Sequence, residues 1–340
     1  MNKNNIVILG IESSCDDTSA AITLNRTVLS NIIAGQEIHK KYGGVVPELA
    51  SRAHQQNIIP VVDTAIKEAG ISKKDIDAIA FTRGPGLLGS LIVGTSFAKS
   101  FAIGLDIPII TVNHMHGHIM AHFIKNNDKE KSPKFPFLCL TVSGGHTQIV
   151  LVESIKKMTI LGETLDDAAG EAFDKSAKIM GLSYPGGPLI NKYADTGDIN
   201  KFIFGKHKVG KLNFSYSGIK TSIIRLIEDM SKKNPNFIKE NLNDLCASIQ
   251  HTIVDILIKK IKKASDELKI NEIAIAGGVS ANTYLRHRLL ELKKENKKVY
   301  IPKFEYCTDN AAMIAISGYY KYLDGNFANQ SVTPLARLSL

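Results

Sequence analysis

Two similar apolar stretches constrain the fold of this chain more than any other feature. One runs from Asn5 to Leu24 and the other from Phe137 to Glu153, and each consists of an apolar strand, a turn of small and polar residues, and a second apolar strand. This pattern predicts a β-hairpin. Because a long stretch with helical and strand patterns separates them, the two hairpins indicate a duplicated lobe rather than a short solenoid repeat.

Helix and strand patterns alternate around the hairpins. An amphipathic helix is predicted over residues 51–72, a buried strand that ends in a glycine loop over 75–86, and a second helix over 90–106. Further along, the sequence predicts a long helix from Asn243 to Leu268 and a capped helix that begins near Thr308. The alternation predicts the α/β class.

Domain bounds follow from the hairpins and from one charged segment. Residues 126–136 are charged and contain proline, which is typical of a surface link. We therefore expect lobe one to hold residues 1–125 and about 318–340, and lobe two to hold 126–317. A chain of 340 residues with 44% hydrophobic content is long enough for two modest cores.

Charge and cysteine content indicate the setting in which the chain works. Lys and Arg number 42 against 33 Asp and Glu, a formal charge of +9 that permits a nucleic-acid partner without proving one. The four cysteines form no CxxC pair, which fits a reducing compartment. With no basic and apolar leader and no apolar run of roughly 20 residues, the sequence predicts a cytoplasmic protein without a membrane partner.

Both hairpin turns have the composition of a phosphate-binding site. The first turn contains Asp16, Asp17 and Thr18, and the second is Ser-Gly-Gly-His-Thr at residues 143–147. Small residues leave backbone N–H groups open to an anion, and hydroxyls add donors. Either turn alone is more often only a turn. A third element, the strand, glycine turn and helix around Asn282, favours a nucleotide ligand, although no Walker lysine motif is present.

Histidines cluster in the segment NHMHGHIMAH. His114 and His118 are four residues apart, which on a helix places both imidazoles on one face, as in a pair of metal ligands, and His118 with His122 repeats that spacing. A third ligand is needed, and Asp309 at a helix N-terminus is the candidate. The alternative is a histidine cluster without a metal ion.

Nine motifs together resemble those of one family. They are GIESSCD, YGGVVPELASRAH, GPGLLGSLIVG, HMHGH, SGGHT, DDAAGEAFDK, YPGGP, AGGVSAN and CTDN. Over nearly its whole length the chain resembles the TsaD family of tRNA-modifying transferases. The resemblance implies a two-lobed, actin-like nucleotide-binding fold built from duplicated ribonuclease-H-like lobes.

The resemblance also implies a reaction and its partners. The threonylcarbamoyl group of L-threonylcarbamoyl-adenylate would pass to the exocyclic amine of the tRNA adenosine 3′ of the anticodon, and AMP would leave. A TsaB-like paralogue and a TsaE-like ATPase would bind through lobe-one helices, and residues 96–101 would lie either on that face or in the core. The cofactor would be one metal ion, Fe²⁺ or alternatively Zn²⁺, on His114, His118 and Asp309. The implied substrate-binding residues are Thr141, Val142, Ser143, Gly144, Gly145, Asp174, Gly187 and Asn282.

A proton must leave the adenosine amine during such a transfer, so a general base is needed. The candidates in the first turn are Asp16 and, after it, Asp17, and the alternative is that both only cap the turn. Backbone N–H groups of residues 143–145 and the metal ion would stabilise the developing charge.

Some positions depart from the family pattern. Asn113 and His116 stand where relatives often have a histidine and an acid, and His116 introduces another possible ligand pair. Asp17 replaces a longer glutamate, and Thr141 replaces an aliphatic residue whose backbone alone would be used.

Other functions remain as alternatives. A metal-dependent peptidase would need a glutamate between the histidines as general base, and the segment lacks it. A small-molecule kinase of the actin-like superfamily has no use for the histidine pair. A nucleotide-dependent scaffold would not need to keep every proposed ligand.

Overall fold

A computed structural model describes residues 5–125, 127, 131–205 and 209–340. The chain divides into two compact units, unit 1 with Met1–Ser132 and Pro302–Leu340, and unit 2 with Pro133–Ile301. This moves the expected boundary, because residues 302–317, assigned to lobe two from the sequence, belong to unit 1. Part of the link expected at 126–136 lies outside the described residues.

Within the described residues, unit 1 contains a five-stranded sheet with the strand order β3-β2-β1-β4-β5. The first hairpin is confirmed, since β1 and β2 pair antiparallel with Gly10 opposite Ala21. Strands β4 and β5 extend the sheet in parallel from β1. The strands are β1 (Val7–Glu12), β2 (Thr18–Leu24), β3 (Thr27–Ala34), β4 (Ala78–Gly84) and β5 (Ile109–Asn113).

Helices cover both faces of this sheet. They are α1 (Pro47–Glu68), α2 (Leu88–Leu105), α3 (His114–Met120) and α9 (Ala311–Leu323). Because successive side chains of a strand point to opposite faces, Leu9 and Ile11 join the core under α1 and α2. Gly10 lies on the other face, against α9. Glu12 therefore points toward the α9 side.

The contact between β1 and α9 requires glycine at position 10. A Cβ atom there would lie 2.4 Å from the carbonyl oxygen of Ala311 and 2.8 Å from the backbone nitrogen of Ala315. A second close approach joins α9 to β4, where a Cβ on Gly318 would lie 2.4 Å from the Cβ of Ala80. Helix α9 consequently rests directly on the strands, which is why residues 302–317 belong to unit 1.

Unit 2 repeats the strand pattern of unit 1. Its five-stranded sheet, within the described residues, has the order β10-β9-β6-β7-β8, with antiparallel pairs β6-β7-β8 and parallel pairs β6-β9 and β9-β10. The strands are β6 (Phe137–Val142), β7 (Thr147–Ser154), β8 (Lys157–Glu163), β9 (Glu272–Ala276) and β10 (Lys298–Tyr300). In each unit the first strand lies in the middle of the sheet, with the second and third strands on one side and the fourth and fifth on the other. This shared strand order supports a duplication.

The helices of unit 2 pack around a separate core. They are α4 (Ala169–Ile179), α5 (Gly186–Ala194), α6 (Ser217–Ser231), α7 (Phe237–Leu268) and α8 (Thr283–Glu291). Helix α7 begins earlier than the predicted Asn243, with a non-helical backbone at Asn241 that marks a kink between two helical stretches. Helix α9 begins at Ala311 rather than near Thr308, since Asn310 is its N-cap.

Helix α2 is long and apolar enough to cross a bilayer by length and composition alone. The sequence analysis did not expect such a run. A helix in a protein core meets the same criterion, and α2 packs on α1 and β4. Membrane association therefore gains only weak support from this helix.

Candidate metal centre and ligand-binding turns

Helix α3 brings the two predicted histidine ligands together. His114 is its first residue and His118 lies one turn later, and their Nε2 atoms are 3.1 Å apart. The side-chain oxygen of Asn113 caps the helix by accepting hydrogen bonds from the backbone N–H groups of Met115 and His116. This cap fixes the start of the helix, and with it the direction of both imidazoles.

Asp309, which lies just before α9, completes the cluster. Its Oδ1 atom lies 3.1 Å from Nε2 of His118 and 3.4 Å from Nε2 of His114. These ligand atoms lie within 4.8 Å of one another. Ser19 and Asn310 fix the start of α9, just after Asp309, by accepting hydrogen bonds from backbone N–H groups of its first turn. The three residues predicted as metal ligands are thus adjacent.

Burial and neighbouring charges shift the pKa values of the three clustered residues. Burial by itself would lower the pKa of His114, but the charges of Asp309 and Glu12 raise it well above its ordinary value. Burial lowers the pKa of His118, which favours a neutral imidazole. Burial by itself would raise the pKa of Asp309, yet His114 and His118 hold it well below its usual range. The metal-free cluster therefore combines an ionised Asp309 and a neutral His118 with a protonated His114, and His114 must release its Nε2 proton when a metal ion binds.

Glu12 is a buried acid beside the histidine pair to which the sequence analysis gave no role. It is fully buried, and its Oε2 atom lies 3.1 Å from Nδ1 of His114. Burial would raise the pKa of its carboxyl, but the charge of His114 lowers it. An acid at the end of an otherwise apolar strand was the available signal, since such a residue needs a partner when buried.

The turn after β1 holds both candidate general bases. Asp16 and Asp17 are half-buried there. Burial, followed by the charges of Asp309 and Asp16, raises the pKa of Asp17 to about 7. His54 braces the turn, with Nδ1 2.7 Å from the Thr18 hydroxyl and Nε2 3.0 Å from the Cys15 carbonyl oxygen. The sequence analysis gave His54 no role.

In unit 2 the second hairpin turn lies beside a helix N-terminus. Thr141 and Val142 are buried at the end of β6, whereas Gly144 and Gly145 are exposed. The turn closes through a 2.8 Å hydrogen bond from the N–H of Ser143 to the carbonyl oxygen of His146. Helix α4 begins against it, because a Cβ on Gly170 would lie 2.6 Å from the Ser143 carbonyl oxygen. An exposed glycine pair at a helix N-terminus suits an anion.

Asp174 anchors the neighbouring glycine loop. Its Oδ1 atom accepts hydrogen bonds from the N–H groups of Gly186 at 2.8 Å and Gly187 at 3.2 Å. Burial raises the pKa of its carboxyl, although both hydrogen bonds oppose that rise. Asp174 and Gly187, predicted as separate substrate contacts, therefore contact each other.

Asn282 is the N-cap of α8. Its side-chain oxygen accepts from the N–H of Leu285 at 2.9 Å, and its amide donates to the Gln250 side chain at 2.7 Å. An amide has two donor hydrogens and two acceptor lone pairs, so one of each is used here. Gln250 orients this amide and was not identified from the sequence.

Comparison with known proteins places the chain in a family. The model of the TsaD family, described as tRNA N6-adenosine threonylcarbamoyltransferase, matches residues 27–316. The chain belongs to the TsaD family. Family members named tRNA N6-adenosine threonylcarbamoyltransferase include one from Christiangramia forsetii, 60% identical over 99% of both chains. Another, from Porphyromonas gingivalis, is 58% identical over 99% of this chain and 100% of its own. This member of the TsaD family is thus a transferase, as predicted.

One solved structure supports the fold of this TsaD-family chain. A structure of full-length HypF in a phosphate- and nucleotide-bound form matches with a TM-score of 0.60 over 95% of this chain and 47% of that one. Sequence identity is 14%, so the likeness concerns the fold alone. Together with the two sheets of like order, it confirms the predicted α/β, actin-like class.

Proposed function

We propose that this TsaD-family transferase modifies tRNA by passing the threonylcarbamoyl group of L-threonylcarbamoyl-adenylate to an adenosine. The acceptor is the exocyclic amine of the adenosine immediately 3′ of the anticodon. The observation that carries the proposal is the convergence of His114, His118 and Asp309 in a chain whose relatives, named for this transfer to tRNA, match it from end to end.

The metal centre is part of the proposal. Two imidazole nitrogens and one carboxylate oxygen form the donor set of a site with open coordination positions, which suits Fe²⁺, with Zn²⁺ as the alternative. Burial of both histidines, and the ionised state of Asp309, fit such an ion. When bound, the metal ion supplies a Lewis acid that holds an anionic oxygen of the ligand.

Residues of unit 2 would bind the adenylate. The exposed turn at Gly144 and Gly145 offers backbone N–H groups, and the start of α4 adds its positive end. Only backbone atoms of the buried Thr141 and Val142 can take part. The loop held by Asp174 and the remaining donor and acceptor of Asn282 are the proposed contacts to the nucleoside.

The transfer itself needs one bond formed and one broken. The adenosine amine nitrogen bonds to the carbamoyl carbon, the bond from that carbon to the phosphate oxygen breaks, and AMP leaves with the electron pair. The amine lone pair is delocalised into the ring, so the rate depends chiefly on positioning and on charge stabilisation at the leaving phosphate. The departing proton passes to a base.

We infer that the base is Asp16 or Asp17, and the environment of Asp17 favours the second. A carboxyl whose pKa is raised to about 7 is matched to proton transfer near neutral pH. Asp17→Asn should lower single-turnover transfer by roughly 10²–10⁴-fold and keep adenylate binding, with Asp16→Asn as the matched variant. A larger loss in Asp16→Asn would assign the base to Asp16, and unchanged rates in both would exclude this turn.

Partners belong to the proposal as well. Unit 1 presents exposed apolar side chains at Leu88, Ile92 and Ile103 on α2 and at Ile59 on α1. Such a surface suits a protein partner. We propose that a TsaB-like paralogue and a TsaE-like ATPase bind through these helices, in the cytoplasm. Gel filtration with the cognate partners at micromolar concentration tests this, and failure to associate would contradict it.

One experiment tests the central proposal. Purified protein is incubated with tRNA, threonine, bicarbonate, ATP and the other pathway proteins, and the tRNA nucleosides are analysed by mass spectrometry. A second reaction replaces threonine and bicarbonate with purified threonylcarbamoyl-adenylate, keeps ATP and the partner proteins, and measures AMP. We expect threonylcarbamoyladenosine in both and AMP equal to the modified base. Product in the first reaction only would exclude the adenylate as the direct donor.

A further inference from the structure

Beyond the ligands themselves, the structure contains an acid with no role in the proposal so far. Glu12 is the last residue of β1, and its side chain points to the α9 side of the sheet, as the alternation along the strand requires. It has an exposed fraction of 0%. A carboxylate at such a depth is costly unless its oxygens are well satisfied.

Donors occupy both oxygens of Glu12. The N–H of Ser14 donates to Oε1 at 2.5 Å, and the hydroxyl of Thr82 on β4 donates to Oε2 at 2.6 Å. These donors come from the main chain of the following turn and from the neighbouring strand. The carboxylate is therefore held in one orientation before any ligand binds.

Oε2 of Glu12 also lies 3.1 Å from Nδ1 of His114. An ionised carboxylate only accepts hydrogen bonds, so Nδ1 must carry the proton. The other ring nitrogen, Nε2, faces His118 at 3.1 Å and Asp309 at 3.4 Å. When a metal ion displaces the proton on Nε2, the neutral His114 keeps its proton on Nδ1 and directs the Nε2 lone pair into the cluster.

We propose that Glu12 is a positioning residue that fixes the proton of His114 on Nδ1 and so commits Nε2 to the metal ion. The proposal rests on the metal centre of the proposed function. Carboxylate partners of this kind orient metal-bound histidines in many proteins. His118 lacks an equivalent, since its Nδ1 is buried without a hydrogen-bond partner among the described residues.

The decisive variant is Glu12→Gln, which keeps size and shape. The amide nitrogen would face both the Thr82 hydroxyl and Nδ1 of His114, where it donates. Nδ1 would then become the acceptor, and the ring proton would move to Nε2, where it blocks the metal ion. We expect Zn²⁺ affinity, measured with Zn²⁺ alone against a chromophoric chelator, to fall by about 10–100-fold.

Ser14→Ala is the matched control. The Ser14 hydroxyl is also 3.1 Å from Nδ1 of His114, so it is the competing partner of that nitrogen. We expect this variant to keep Zn²⁺ affinity close to that of the wild type. A loss equal to that of Glu12→Gln would assign the orienting role to the hydroxyl and overturn the proposal.

A measurement on the wild type covers the case in which Glu12→Gln does not fold. With ¹⁵N-labelled histidine, the Zn²⁺-loaded protein should show a slowly exchanging imidazole N–H at His114 Nδ1, and Ser14→Ala should retain it. Absence of this proton in the wild type would overturn the proposal. Failure of the wild type to bind Zn²⁺ at all would instead refute the metal centre itself.

Discussion

Replacement of Gly10 by alanine tests whether α9, and with it Asp309, is held against β1. The added Cβ would lie 2.4 Å from the Ala311 carbonyl oxygen, 2.8 Å from the Ala315 nitrogen and 2.9 Å from the Ala315 Cβ. Ordinary carbon contacts are about 3.5–4.0 Å, so the helix must move away by about 1 Å. The neighbouring atoms are backbone and Cβ atoms, which no rotamer change can remove.

The free-energy cost follows from two opposing effects. Overpacking of a core costs about 1–3 kcal/mol, while the less flexible unfolded chain offsets about 0.4–1 kcal/mol of that. We expect a net loss of about 1–2 kcal/mol and a Tm lower by roughly 2–8 °C for a unit of this size. Because Asp309 directly precedes the α9 N-cap, Zn²⁺ affinity should fall together with Tm.

Gly104→Ala is the matched control for this prediction. Gly104 lies in α2, and a Cβ there would have nothing within 4 Å. Removal of a helical glycine should stabilise the protein by about 0.5–1 kcal/mol and leave Zn²⁺ affinity unchanged. Differential scanning calorimetry and chelator competition provide both readouts. If Gly10→Ala keeps wild-type Tm and Zn²⁺ affinity, the close packing of α9 on β1 is refuted.

Three further predictions concern the sites. His118→Ala should strip the metal ion, and full occupancy by elemental analysis would move the ligands to His116 or His122. Burial raises the pKa of Asp17 from 3.8 to about 7. Between these values the folded state binds a proton that the unfolded state has lost, so the free energy of unfolding falls as pH rises from about 4 to 7. In urea titrations of the metal-free protein, Asp17→Asn should not show that decline, and an equal pH dependence of the unfolding free energy in variant and wild type would contradict this prediction. Asp166 accepts hydrogen bonds from residues at the start of α6, and Asp166→Ala should cost about 1–2 kcal/mol. Burial alone would raise the pKa of Asp166, but these hydrogen bonds lower it, so the stability lost in Asp166→Ala should become smaller below pH 4. Urea unfolding measures this loss, and a loss that does not change with pH would show that the ionised carboxylate is not the acceptor that matters.

Local patterns in the sequence sufficed for several features. Both hairpins formed where two apolar strands flank a turn of small and polar residues, and helices formed over the amphipathic segments. His114 and His118 share one helical face because a spacing of four residues is close to one helical turn. The TsaD-family motifs, each a contiguous stretch, identified the family. These features depend on neighbours in the chain, which the sequence displays directly.

Other features depend on residues that are distant in the chain, and only the tertiary structure decided them. Asp309 is 191 residues from His118, and it reaches that histidine because Gly10 lets α9 rest on β1. The same packing assigns residues 302–317 to unit 1 instead of lobe two. Glu12 resembled any acid near a turn until strand alternation and the sheet placed its carboxylate against His114. The sequence determined which groups can carry the chemistry, whereas packing between distant elements determined which of them meet, because burial and hydrogen-bond partners exist only once the chain has folded.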